Sequence, residues 1–124
     1  MTIRIKGNSI RYRLTRPEIK IFEAEGYLEE RVEFGTTTFV YALQKSAIEK
    51  NLSAEFSQNK IILSLPESMA DEWTNSERVG FSHQLNVSNG KTLSLLVEKD
   101  FKCLDNVAED QSDHYENPLS LKKI

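Results

Sequence analysis

Side chains alternate faces along a β-strand, so the parity of apolar positions on either side of a turn fixes the length of that turn. Ile3 and Ile5 are odd, whereas Ile10, Tyr12 and Leu14 are even. A two-residue turn at Gly7-Asn8 reconciles them, setting Ile5 opposite Ile10 and Ile3 opposite Tyr12, and glycine at the first turn position suits a type II′ hairpin. The competing arrangement is one long strand bulged at Gly7. Leu28, Val32 and Phe34 alternate with Glu29, Arg31 and Glu33, and Phe39, Tyr41 and Leu43 follow on opposite parity. A Gly35-Thr36 turn then pairs Val32 with Phe39 and Leu28 with Leu43. Leu52, Ala54 and Phe56 face Ile61, Leu63 and Leu65 across Gln58-Asn59, where asparagine tolerates positive φ. In the last hairpin Val79, Phe81, Leu85 and Val87 share odd parity with Leu93, Leu95 and Val97. Its loop therefore takes three residues, Ser88-Asn89-Gly90, with Gly90 left-handed, which sets Leu85 opposite Leu93 and Phe81 opposite Val97.

Two short helices fit between the hairpins. Thr15-Arg16-Pro17-Glu18 reads as a capping box, Gly26 as the stop, and Ile19 and Phe22 as the buried face. Ser64-Leu65-Pro66-Glu67 reads as a second helix start, followed by an apolar stripe of Met69, Ala70 and Trp73. The element order is then ββαββ twice, over about residues 2–44 and 52–99. The expected fold is α+β: a duplicated ββαββ unit with about eight mostly antiparallel strands and two short helices. The strands form an open sheet or curl into a small barrel that removes the sheet edges. Hydrophobic periodicity stops after Phe101. Residues 1–101 are read as a single domain and 102–124 as an irregular acidic C-terminal extension.

Composition narrows the function classes. Hydrophobic residues make up 39% and charged residues 28%, the balance of a globular domain rather than a disordered chain. The longest apolar run, Phe39 to Leu43, is far short of a bilayer span, and the N-terminus has no apolar signal segment, so no membrane is expected. The single Cys103 excludes an internal disulfide and any zinc site needing two cysteines, and it fits a reducing, cytoplasmic compartment. Beside Phe101 and Leu104 it reads as a small buried hydrophobe. The net charge of −3 hides an asymmetry. Arg4, Lys6, Arg11, Arg13, Arg16 and Lys20 stand against Glu18 near the start, whereas Asp105, Glu109, Asp110, Asp113 and Glu116 occupy a stretch free of Lys and Arg. The two ends can attract each other within a chain or between chains. Overall acidity argues against nucleic acid as a partner.

The first hairpin carries the sharpest chemical signal. Its register sets Arg4 opposite Arg11 and Thr2 opposite Arg13, with Lys6 on the same face. Like charges directly opposed across strands cost several tenths of a kcal/mol or more, so something must offset them. A bound phosphate-containing or carboxylate small molecule would do so through guanidinium forks, making Arg4, Lys6, Arg11 and Arg13 an anion-binding set. The plainer offset is a neighbouring acidic face, Glu29 and Glu33, or the acidic extension. Glu30 and Tyr41, opposite one another, and His83, between Phe81 and Leu85, point inward in this register and form the three weak catalytic candidates of the chain. A histidine or carboxylate with a satisfied hydrogen bond explains each one separately. The acidic stretch with His114 lacks the glycine and bidentate glutamate of a calcium loop, and no metal or cofactor is expected. No phosphate-cradling glycine loop, Gly-x-Ser-x-Gly elbow or His-Glu-x-x-His pair occurs.

The opening run Ile3-Arg4-Ile5-Lys6-Gly7-Asn8-Ser9-Ile10-Arg11-Tyr12-Arg13-Leu14-Thr15 resembles a family of small uncharacterised bacterial proteins, a domain of unknown function. Glu33-Phe34-Gly35, the run from Leu96 through Glu98, Lys99, Asp100, Phe101 and Cys103 to Leu104, and Glu109-Asp110 through Asn117-Pro118 extend the likeness over nearly the whole chain. The resemblance implies a bacterial cytoplasmic setting and carries no activity. In architecture, duplicated antiparallel units are similar to the triphosphate tunnel enzymes, which act on triphosphates in a metal-containing barrel. Their first strand carries alternating glutamates followed by a lysine; Arg4 and Lys6 stand there instead, against metal binding and catalysis. The residues favour a non-enzymatic binding or interaction module with an anion-accepting basic hairpin face. Two alternatives accompany it: a phosphate-ester or triphosphate hydrolase, and an assembly protein whose acidic tail docks on the basic hairpin of another copy to form a homo-oligomer.

Overall fold

A computed structural model of the chain describes residues 1–101. Its elements are β1 (Thr2–Ile5), β2 (Ser9–Leu14), α1 (Arg16–Glu25), β3 (Tyr27–Glu33), β4 (Thr38–Ser46), β5 (Ser53–Ser57), β6 (Lys60–Pro66), α2 (Glu67–Thr74), β7 (Gly80–Asn86) and β8 (Thr92–Lys99). The fold is α+β, with the element order ββαββ repeated.

The four hairpins take the registers that parity requires. Ile5 pairs with Ile10 and Arg4 with Arg11; Val32 pairs with Phe39 and Leu28 with Leu43. Phe56 pairs with Ile61, and Phe81 with Val97. The first hairpin turns at Gly7 (φ 56°) rather than bulging there, with the Lys6 N–H donating to the Ser9 carbonyl at 3.2 Å. In the β5–β6 turn Gln58 joins Asn59 at positive φ (52° and 63°), so both central residues are left-handed.

The hairpins do not unite into one sheet, nor into a barrel. They form two open four-stranded sheets, β1-β2-β8-β7 and β3-β4-β6-β5. Each sheet takes one hairpin from each half of the chain, and its two inner strands run parallel: β2 beside β8, β4 beside β6. Exchanging the halves converts one strand order into the other. Helix α1 carries the chain from the first sheet to the second, and α2 carries it back. Parity governs strands joined by a short turn and is silent about hairpins that meet from distant parts of the chain. The parallel seams are therefore the part of the sheet order that turn chemistry does not determine.

The helices start differently. At α1 the Thr15 N–H donates to Glu18 Oε1 at 2.9 Å, and Gly26 (φ 73°) closes the helix with its N–H on the Phe22 carbonyl. The expected start of α2 at Ser64 is corrected: β6 runs through Pro66, and Pro66 itself is the N-cap. Ser64 is held in the sheet, opposite Gln44, whose Nε2 donates to its hydroxyl at 3.0 Å.

One apolar cluster joins both sheets and both helices. Tyr12, Leu14, Leu95 and Val97 come from the first sheet, Leu43, Leu63 and Leu65 from the second, and Phe22 and Trp73 from the helices. The last two rings meet edge-on, 6.1 Å apart. The Trp73 indole N–H donates to the Val79 carbonyl at 2.9 Å, so its polar atom is satisfied on burial. Truncating Trp73 to alanine would cost about 3–5 kcal/mol. No helix among the described residues is long and apolar enough to cross a membrane.

Candidate functional site

The outer face of the first sheet is a grid of cross-strand rows. One row reads Arg4, Arg11, Leu96, Ser82, and the next reads Thr2, Arg13, Glu98, Gly80. A third sets Ser9, Ser94 and Gln84 side by side. Strand alternation puts these side chains outward because their neighbours Ile10, Tyr12, Leu95 and Val97 face the core. Among the described residues, four cations, Arg4, Lys6, Arg11 and Arg13, share this face with one carboxylate, Glu98.

Glu98 is committed to one end. Arg13 donates to Glu98 Oε2 from Nε at 2.9 Å and from Nη2 at 2.6 Å. Arg11 Nε stands 3.8 Å from the same oxygen, an ion pair rather than a hydrogen bond. Among the described residues, Arg4 and Lys6 have no carboxylate partner. Both border a shallow groove of about 350 Å³ over Ser9, Arg11, Ser94 and Leu96. Of the four residues expected to accept an anion, Arg4, Lys6 and Arg11 line this groove, and Arg13 lies outside it on the same face, bonded to Glu98. The partial offset comes from Glu98, which sequence reasoning passed over, because its place beside Arg13 depends on the parallel β2–β8 seam.

Glu29 and Glu33 are engaged elsewhere, on the outer face of the second sheet. Glu29 accepts from the Tyr27 hydroxyl at 2.6 Å and from Arg31 at 2.9 Å, and Lys60 lies 3.8 Å away. The Tyr27 hydrogen bond and then the Arg31 guanidinium hold its carboxyl below the ordinary carboxylate value. Glu33 accepts from the Thr38 hydroxyl at 2.7 Å. The Lys60 ammonium sits 5.3 Å over the Tyr27 ring, and its pKa is raised by Tyr27 first and then by Glu29.

Glu30 and Tyr41 pair across β3 and β4 and share a third group, Met1. The terminal ammonium donates to Glu30 at 3.0 Å and also to Glu18, and the Tyr41 hydroxyl donates to the Met1 carbonyl at 3.0 Å. Burial would raise the Glu18 carboxyl, but hydrogen bonds from the ammonium and the Thr15 backbone outweigh it and hold the group low. Tyr41 is pushed up by burial and by the charges of Glu30 and Glu18, so its hydroxyl stays a donor. His83 lies on the inner face of the other sheet, opposite Leu95. Among the described residues no hydrogen bond or ion pair joins it to Glu30 or Tyr41. The roles considered for Cys103, His114 and the acidic stretch fall outside the described residues.

A second cleft of about 600 Å³ opens between α1 and the loop after α2, with Arg16, Lys20 and Lys99 mixed among Glu23 and Glu77. Lys99 is pulled down by burial and donates from Nζ to the Ser76 carbonyl at 2.8 Å. Its cations are balanced by nearby acids, so it lacks the one-sided charge of the β1–β2 face. Among the described residues no group of three His, Cys, Asp or Glu is placed to hold a metal ion.

Comparison with curated proteins and with solved structures returns no match. Residues 1–119 match a family described as "Family of unknown function (DUF7009)". That match spans both sheets, both helices and most of the acidic extension, so the chain belongs to this family of unknown function.

Proposed function

We propose that the chain is a non-enzymatic binding module that accepts phosphate or carboxylate groups on the outer face of the β1-β2-β8-β7 sheet. One observation carries the reading: Arg4 and Arg11 are direct cross-strand partners, and Glu98, the carboxylate on their face among the described residues, is spent mainly on Arg13. Holding two guanidinium groups opposite one another costs several tenths of a kcal/mol. A charge-assisted hydrogen bond returns about 1.5–3 kcal/mol, so a single anion bridging the pair outweighs the repulsion. Guanidinium forks suit the paired oxygens of phosphates and carboxylates. The Ser9 hydroxyl donates to the Lys6 carbonyl and the Ser94 hydroxyl to Gln84 Oε1, which turns the Gln84 amide N–H into the neutral donor beside the cations, and Leu96 gives the groove an apolar strip. Among the described residues the face has no nucleophile paired with a base, which supports reading it as a binding surface. One cysteine in the whole sequence supports a cytoplasmic setting, and the equivalent strand orders of the two sheets support reading the halves as a duplicated unit.

Calorimetric titration with tripolyphosphate at low ionic strength tests the reading. The parent chain should bind, and Arg4→Gln with Arg11→Gln should weaken binding by about tenfold or more, the equivalent of one charged hydrogen bond. Equal binding by parent and double variant would refute the site, and a parent that binds no phosphate compound would refute the function.

A further inference from the structure

We infer that the acidic extension of the same chain occupies this basic face and competes with external anions, so that the module regulates its own site. The inference rests on the anion-accepting reading above and adds the competitor. Three observations support it.

The charges are complementary. The face carries three more cations than carboxylates, and its Arg4 and Lys6 have no ion-pair partner among the described residues. Asp105, Glu109, Asp110, Asp113 and Glu116 fall in a stretch with no Lys or Arg.

The chain leaves the sheet at the right place. Strand β8 ends at Lys99, and the Asp100 N–H donates to the Leu14 carbonyl at 2.7 Å. The chain thus passes Phe101 at the Leu14 end of β2, beside the cleft of Arg16 and Lys20 and three residues beyond the Arg13 row, rather than at the far turns.

The lengths suffice. Strands rise about 3.3 Å per residue and lie about 4.8 Å apart. From Phe101 back to the Arg4–Arg11 row is therefore about 17 Å along the sheet and about 10 Å across it to β1, or roughly 20 Å in all. An extended chain covers about 3.3–3.6 Å per residue. Asp105 reaches about 13 Å, enough for Arg13, and Glu109 and Asp110 reach about 26–30 Å, enough for Arg4 and Lys6. Tethering over so short a span gives the carboxylates an effective concentration in the millimolar range, which a second copy at micromolar concentration does not match. The geometry therefore favours the chain's own extension over that of a partner.

The test keeps the full chain. Asp105→Asn, Glu109→Gln, Asp110→Asn, Asp113→Asn and Glu116→Gln are combined, and tripolyphosphate binding is measured against the parent by calorimetry, with mass followed by sedimentation. The inference expects the neutralised chain to bind about threefold more tightly or better at low salt. It expects the gain to shrink as salt screens the contact, and both chains to be monomeric. Equal affinity in the two chains overturns the competitor and leaves the anion site standing. Binding by neither chain overturns the anion site and the competitor with it. A parent dimer that the neutralised chain dissolves assigns the face to a second copy and overturns the intramolecular contact.

Discussion

The outer faces of the two sheets share one strand order and differ in how their charges are settled. On β3-β4-β6-β5, Glu29 collects Tyr27, Arg31 and Lys60, and Glu33 is bonded to Thr38. On β1-β2-β8-β7, one carboxylate serves Arg13 and partly Arg11, while Arg4 and Lys6 stay unanswered among the described residues. The first residue of β3 is Tyr27, whose ring and hydroxyl organise the balanced face; the first residue of β7 is Gly80, which offers no side chain at all. The same scaffold thus makes one face whose cations each meet a carboxylate and one on which, among the described residues, Arg4 and Lys6 meet none. A charge-dense surface is informative where its partners can be enumerated and fall short.

The comparison breaks most visibly in ligand binding. Arg31→Gln with Lys60→Gln removes as much positive charge as Arg4→Gln with Arg11→Gln. If net charge alone attracted anions, both pairs would weaken tripolyphosphate binding alike. The account expects a loss of about tenfold or more from the β1–β2 pair and less than about twofold from the control pair.

Gly80 gives the next largest effect. A Cβ built there would lie 2.0 Å from the Val97 carbonyl oxygen and 2.8 Å from Glu98 Cα. Backbone cannot yield as a side chain can, so Gly80→Ala should lower stability by about 1–3 kcal/mol in chemical denaturation. It should also weaken anion binding, because β7 and β8 carry Gln84, Ser94 and Leu96 into the groove.

Acid titration separates the faces further. Glu29 has a depressed pKa, so its contribution is complete above the unfolded value of about 4.3 and is lost as pH falls through the folded value. Glu29→Gln should cost a fraction of a kcal/mol at neutral pH, with the difference from the parent fading in strong acid. A constant difference across that range would mean that charge is not what Glu29 contributes.

The smallest effect is one of sign. In the chain whose acidic extension is neutralised, Arg4→Gln relieves the pair with Arg11 and should raise stability by a few tenths of a kcal/mol. Arg31→Gln, which breaks a partnered contact, should lower it by a similar amount.

Much of this was legible in the residues. Four hairpin registers, the α1 capping box and the Arg4–Arg11 opposition follow from alternation and turn chemistry, which act over short stretches of chain. What stayed hidden depends on contacts between distant segments. Glu98 comes beside Arg13 only through the parallel β2–β8 seam, and Glu30 and Tyr41 find Met1 only after β3 and β4 have paired. Ser64 read as a helix cap because its local sequence resembles one, yet Gln44 on a neighbouring strand claims its hydroxyl.

The most direct measurement is residue-resolved amide chemical-shift mapping during a pyrophosphate titration. The account predicts saturable shifts concentrated at Arg4, Lys6, Ser9, Arg11 and Ser94, with Glu29, Arg31 and Lys60 unmoved. Shifts centred on the second sheet, or spread evenly over every basic residue, would contradict it.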